Sequence, residues 1–172
     1  FLFFMKFLEL KQFFDKQDEE YKSSNKYVFK TSKGIFGVSD LEILNEFFQK
    51  INLQGNFLDL GSGDGRVVFL ASLFCNASGV EFEKSLIDLS EKYKKELNLS
   101  CNFICDDFNN IDFSKFDVLF SYSDNFFSKE FVNKLKNEFK GKLYIYQGVF
   151  LPELKKGKTI WIKQTPIISF EF

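Results

Sequence analysis

Phe57-Leu58-Asp59-Leu60-Gly61-Ser62-Gly63-Asp64-Gly65-Arg66 is the stretch on which the fold turns. Phe57–Leu60 is a short apolar run broken by one acid, the pattern of a buried strand. Three alternating glycines follow, and Arg66–Phe74 then reads as a helix. A glycine loop joining a strand to a helix is the context in which such a loop carries meaning. Glycines let the backbone turn sharply and approach a ligand with no Cβ in the way. The free amides of the next helix then face that ligand and favour negative charge.

Outward from this loop, strand and helix signals alternate. Ala77–Phe82 reads as a strand, and Glu83–Leu97 as a helix with Leu86, Leu89, Tyr93 and Leu97 in register. Cys101–Cys105, Phe116–Tyr122 and Lys142–Val149 read as strands, with a helix over Ser128–Phe139. This alternation predicts an α/β fold with a parallel sheet covered on both faces. The tail differs: Thr159–Gln164 and Ile167–Phe172 are β-rich runs separated by a Thr165-Pro166 turn, with no room for a helix. They predict an antiparallel hairpin at one sheet edge.

Upstream, Tyr27–Ser39 reads as a loop containing Gly34 and Gly37. Ser39 is expected to cap a helix over Asp40–Ile51, whose Leu41, Leu44, Phe47 and Phe48 share a face. At the amino terminus, Phe3, Phe7, Leu10 and Phe14 recur at helical spacing and predict an amphipathic helix packed on the domain. Asp15–Lys26 reads as helix end and linker. The expected organisation is an amino-terminal helix and linker over residues 1–26 and a single domain over residues 27–172.

Composition narrows the function classes. With 172 residues the chain suits one domain, and 23 basic against 24 acidic residues encode no global pull toward nucleic acid or anionic membrane. Histidine is absent, which removes imidazole acid/base chemistry and His zinc ligands, and no metal site is expected. Cys75, Cys101 and Cys105 form no CxxC pair and suit reduced thiols in a cytosolic protein. No leader pattern and no run of roughly 20 apolar residues is visible. The 26 phenylalanines predict a heavily aromatic core.

The loop fits neither common nucleotide motif. GxGxxG fails because Arg66 holds its sixth position, and no Lys-Ser/Thr ending suits a triphosphate with magnesium. Asp59, ahead of the first glycine, argues against a pyrophosphate. It suits a ligand carrying an ammonium group beside a carboxylate, such as the methionyl end of S-adenosylmethionine. Glu81 ends the next strand, where an acid reaches ribose hydroxyls in doubly wound nucleoside sites. Asp106 ends the strand after that, placed for an adenine amino group, with Asp107 as its competitor.

Asp59–Arg66, Glu81 and Asp106 resemble the first three motifs of class I S-adenosylmethionine-dependent methyltransferases, over about residues 34–172. Leu58–Arg66, the compact length and Gly148-Val-Phe-Leu-Pro152 most resemble the small archaeal protein lysine methyltransferases. These are related to the mitochondrial enzymes that methylate a lysine of an ATP synthase subunit. The resemblance implies a doubly wound, Rossmann-like seven-stranded sheet ordered 3-2-1-4-5-7-6 with strand 7 antiparallel. It implies S-adenosylmethionine at the carboxyl ends of strands 1 and 4, held by Gly61, Ser62, Gly63, Asp64 and Gly65, by Glu81 with Phe82, by Asp106, Asp107 and Phe108, and by Ser121. Thr31–Ser39 resembles a loop closing over the cofactor, with Phe36 or Gly37 lining it.

Strand 4 ends Ser121-Tyr122-Ser123-Asp124, without the Asp/Asn-Pro-Pro-Tyr/Phe run usual where exocyclic base nitrogens are methylated. Tyr122 and Asp124 are the catalytic candidates beside the transferring methyl. Only short segments follow Asp106 and Val149, so an open mouth is expected, suited to a side chain protruding from a macromolecule. The leading expectation is a cytoplasmic methyltransferase acting on protein lysine, with nucleic acid the less favoured partner. An RNA or small-molecule methyltransferase and a non-catalytic cofactor-binding subunit are the alternatives.

Overall fold

The computed structural model describes residues 2–24 and 28–172. A long helix, α1 (Leu2–Ser23), precedes a small hairpin of β1 (Val28–Lys30) and β2 (Ile35–Gly37). After α2 (Leu41–Lys50) the alternating portion begins: β3 (Asn56–Leu60), α3 (Arg66–Ala71), β4 (Asn76–Glu81), α4 (Lys84–Leu97) and β5 (Asn102–Cys105). Two single 3₁₀ turns lead to β6 (Val118–Ser121), α5 (Lys129–Glu138) and β7 (Lys142–Tyr146), and β8 (Thr159–Ile162) and β9 (Thr165–Glu171) finish the chain.

Seven strands form one sheet in the order β5-β4-β3-β6-β7-β9-β8. Strands β3 to β7 run parallel, and β9 is antiparallel to both β7 and β8. Counted from β3, this is the 3-2-1-4-5-7-6 order expected from the resemblance. The order reverses between β3 and β6, which opens a crevice at the carboxyl ends of those strands.

Period-two alternation divides the core. Phe57, Phe120, Tyr144 and Ile167 enter one cluster, with α1, α2 and α3, while their neighbours Leu58, Leu119, Leu143 and Ile168 enter the other, with α5. The first cluster is aromatic: the Phe48 ring meets Phe57, Phe74 and Phe120 at 5.6, 5.8 and 6.1 Å in edge-on contacts.

Several local readings are corrected. Asp40, not Ser39, caps α2: its extended backbone lets Oδ1 accept from the Glu42 and Ile43 amides at 2.8 and 3.1 Å. The tail hairpin turns at Lys163-Gln164, with Lys163 at φ +52°, and Thr165 and Pro166 lie inside β9. Pro166 faces only β8, because pairing with β7 starts at Ile167, so its missing N–H breaks no bond on that side. The expected linker over Asp15–Lys26 is helical as far as Ser23, and the expected Tyr27–Ser39 loop contains the β1–β2 hairpin. The expected boundary after residue 26 falls outside the described residues. No described helix is long and apolar enough to cross a membrane.

Candidate active site

A cavity of about 740 Å³ lies at the carboxyl ends of β3, β4 and β6, roofed by the β1–β2 hairpin. That volume suits a ligand of nucleoside size or larger. Phe36, Gly37, Asp59, Gly61, Ser62, Gly63, Asp64, Glu81, Phe82, Asp106, Asp107, Phe108, Ser121, Tyr122 and Asp124 all line it. Gly65 is the one candidate that does not. Its φ is +83°, and a Cβ there would stand 2.7 Å from the Phe103 ring, so this glycine serves the packing of loop against strand.

The loop leaves no row of free amides for an anion. Gly61 and Ser62 both donate to the Val80 carbonyl at 2.9 and 3.0 Å, and Gly65 donates to Ser62. The Gly63 amide goes to Glu81 Oε2 at 3.0 Å, and that of Arg66 to Asp64. Of the helix amides expected to face a ligand, that of Arg66 is thus taken by Asp64. What the loop offers is space: Gly61, at φ +79°, and Gly37 would each point a Cβ into open volume. Gly63 is covered by the Phe36 ring, 3.0 Å from where its Cβ would stand.

The polar lining is acidic. Glu81 turns back toward the loop, and its two oxygens accept the Gly63 and Glu83 amides at 3.0 and 2.8 Å. Asp59 is buried and accepts no hydrogen bond among the described residues. Burial, then the negative charges of Glu81 and Asp64, hold its carboxyl well above the usual range. A cation brought beside Asp59 would relieve both costs. Asp64 is committed elsewhere: its carboxylate pairs with Arg66 at 2.8 Å, so its side chain is not available to a ligand.

The far rim is built by turn chemistry. Asp106 Oδ1 accepts from the Asp107 amide and the Asn110 side chain, both at 2.7 Å. Asp107 accepts from Asn109 and pairs with Lys33, and the lysine contact leads in holding its carboxyl below the ordinary value. Lys33 also stands 3.9 Å over the Phe82 ring, while Phe108 packs edge-on against Phe131 at 5.2 Å. Ser121 Oγ reaches the Leu60 carbonyl at 3.4 Å, bridging β6 to β3 at the switch point. Ser62 Oγ is buried without a hydrogen-bond partner, pressed against Gly79.

The two catalytic candidates part company. The Tyr122 hydroxyl donates to Gln147 Oε1 at 2.9 Å, and its ring meets that of Tyr146 at 5.0 Å. Asp124 instead accepts the Ile35 amide, and a Cβ on Gly34 would collide with its carboxylate. The hairpin is thus clasped on three sides, by Asp124, by Asp107 through Lys33, and by Glu83, which accepts from Ser32 at 2.8 Å. Cover for the cavity thus comes from the amino-terminal side, not from the short β5–β6 and β7–β8 segments alone.

Lys33, Glu83 and Gln147 were not singled out by sequence reasoning. Gln147 alone carries a visible signal, standing at the end of a strand, where doubly wound folds place functional groups.

The family model described as "Histone methylation protein DOT1" matches residues 18–155. No curated protein matches the sequence. Among solved structures, an RNA methyltransferase from Salinibacter ruber, crystallised with S-adenosyl-L-homocysteine, is 17% identical with a TM-score of 0.60 over 78% of this chain and 92% of its own. The Thermus thermophilus 16S rRNA N2 G1207 methyltransferase RsmC, in complex with AdoMet and guanosine, is 16% identical with a TM-score of 0.63, covering 84% of this chain and 45% of its own. The YcgJ protein of Bacillus subtilis is 17% identical with a TM-score of 0.54, covering 62% and 50%.

Proposed function

The chain belongs to the histone methylation protein DOT1 family and is a class I S-adenosylmethionine-dependent methyltransferase; from that premise we propose that its acceptor is a lysine amine of a protein. The cofactor suits the residues present. It carries an ammonium and a sulfonium, and the cavity pairs an unpartnered buried acid, Asp59, with a loop whose Gly61, Ser62, Gly63 and Gly65 amides are already used. A phosphate ligand would find the opposite of what it needs. In this reading Glu81 holds ribose hydroxyls with the lone pairs its two amide donors leave. Gly61 and Gly37 leave room for the methionyl chain, and Asp106, Phe82 and Phe108 bound the adenine. When bound, S-adenosylmethionine supplies a methyl group on positively charged sulfur.

One observation carries the lysine reading: the acceptor side of the cleft is aromatic. Tyr122 and Phe126 are exposed there, and Phe126 packs edge-on against Phe150 at 4.8 Å, next to exposed Val149. Such rings shelter an aliphatic stem and leave its polar tip free to travel inward. The Tyr122 hydroxyl, directed to Gln147, stands at this rim as a polar group among the rings. Desolvation among these rings favours the neutral amine that must attack. Aligning that nucleophile about 3 Å from the methyl is the main contribution asked of the protein.

The test incubates the protein with methyl-labelled cofactor and separate fractions of cell protein, RNA and metabolites. Label recovered on lysine after proteolysis supports the reading. Label confined to RNA or to metabolites sinks the lysine assignment and leaves the methyltransferase standing.

A further inference from the structure

The sequence carries 23 basic residues, and Arg66 alone among them is an arginine. It opens α3 directly after the glycine loop, with its side chain only 4% exposed. A guanidinium differs from an ammonium in presenting a planar fork that can grip two carboxylates at once. Arg66 does so. Nε and Nη2 donate to Asp64 Oδ2 at 3.1 and 2.8 Å, while Nη2 and Nη1 donate to Asp18 at 2.6 and 3.2 Å. Its guanidinium also lies 4.7 Å from the Phe14 ring centre.

Asp64 belongs to the cofactor loop, whereas Asp18 and Phe14 belong to α1. The same helix touches the loop by a second route, since Tyr21 packs edge-on against Phe36 at 5.8 Å and Phe36 covers Gly63. From the other side, Ser90 of α4 donates to the Gly63 carbonyl at 3.2 Å, and Gln17 of α1 accepts from Tyr93 of α4 at 2.8 Å. The loop is therefore held between α1 and α4, and the ionic part of that hold is the Asp64–Arg66–Asp18 chain.

We propose that Asp18 and Arg66 are positioning residues for cofactor binding, setting the glycine loop through Asp64, so that α1 is a working part of the site. The inference rests on the reading of the cavity as a cofactor site. It predicts a function for a helix that contributes no side chain to the cavity wall. Removing one carboxylate from a buried chain of this kind leaves the arginine half-satisfied and the loop free to shift.

The experiment compares Asp18→Asn with Asp15→Asn, an exposed neighbour on α1 that pairs with Lys11 alone among the described residues, and with Arg66→Lys, which keeps the charge and loses the fork. Two readouts are taken on the full chain. In the ligand-free protein, the Gly61 and Gly63 amide resonances are expected to move in Asp18→Asn and stay put in Asp15→Asn. In titrations with S-adenosylhomocysteine, affinity is expected to fall about tenfold in Asp18→Asn and further in Arg66→Lys, with Asp15→Asn unchanged. Unmoved glycine amides, or equal affinities in the two aspartate variants, overturn the proposal. If the unaltered protein binds no S-adenosylhomocysteine, the site reading fails instead, and the amide shifts alone judge the clamp. Should Arg66→Lys not fold, Asp18→Asn decides, since Asp18 is the more exposed partner.

Discussion

The two halves of the cleft are built differently. On the β3–β4 side the Gly61, Ser62, Gly63 and Gly65 amides are spoken for, Glu81 is anchored twice, and the glycines either leave room or allow close packing. On the β6–β7 side the polar bonds of Tyr122 and Asp124 go to Gln147 and to the hairpin, and the rings of Tyr122 and Phe126 are exposed. The contrast teaches where invariance is needed. A cofactor presents the same groups every time and rewards a rigid seat, whereas the protruding acceptor proposed above would be met by an adaptable, greasy rim.

The sharpest break of that contrast is Glu81→Ala. It strands two amides and removes the proposed ribose contact, so affinity for S-adenosylhomocysteine should fall by about 100-fold in calorimetry, with a smaller loss of stability. Unchanged affinity would remove Glu81 from the site. Next, Asp59→Asn should weaken binding about tenfold while steadying the ligand-free protein at neutral pH. The sign follows from the raised carboxyl: the folded chain holds this proton more tightly than the unfolded chain, so its stability is present at low pH and is lost as pH rises through the raised value. The melting temperature of Asp59→Asn should exceed that of the parent at neutral pH, and the gap should close in acid. A parallel pair of pH profiles would contradict this.

Effects on the other half should spare the cofactor. Tyr122→Phe is expected to leave S-adenosylhomocysteine affinity within about twofold and to lower transfer to protein several-fold, a loss on the scale of one hydrogen bond. A matching loss of cofactor affinity would erase the distinction between the halves. The smallest effect is expected from Gly34→Ala, whose methyl collides with Asp124 and loosens the hairpin clasp. Cofactor release in stopped flow should quicken by about threefold, in line with a fraction of one such contact. A slower release would show that the clasp does not hold the roof down.

Much of this was legible in the residues, for reasons that can be named. The parallel sheet with an antiparallel edge followed because strand and helix runs alternate up to Val149 and then stop alternating, which leaves the final pair to close as a hairpin, whereas the strand order came from the family resemblance. Glu81 and Asp106 were visible because strand ends in such a fold converge on one crevice. Asp64, beside three glycines, looks in the sequence like a ligand contact, and only its distance to Arg66 shows its carboxylate committed to an ion pair. The bond from Asp124 to the hairpin was not legible, because nothing local reports the approach of Ile35 from 89 positions earlier.

The sequence by itself determined the strand–loop–helix unit, the alternation, the aromatic core and the acids at the strand ends. Each is written in spacing or residue type within a few positions, and hydrophobic periodicity and glycine's freedom act at that range. Tertiary structure alone decided which carboxylates stay free and which are consumed. It also decided where the loop amides go and that α1 grips the site through Asp18. Those outcomes depend on which groups meet after the chain has folded back on itself, and a buried charge or amide takes whatever partner the packing brings within about 3 Å.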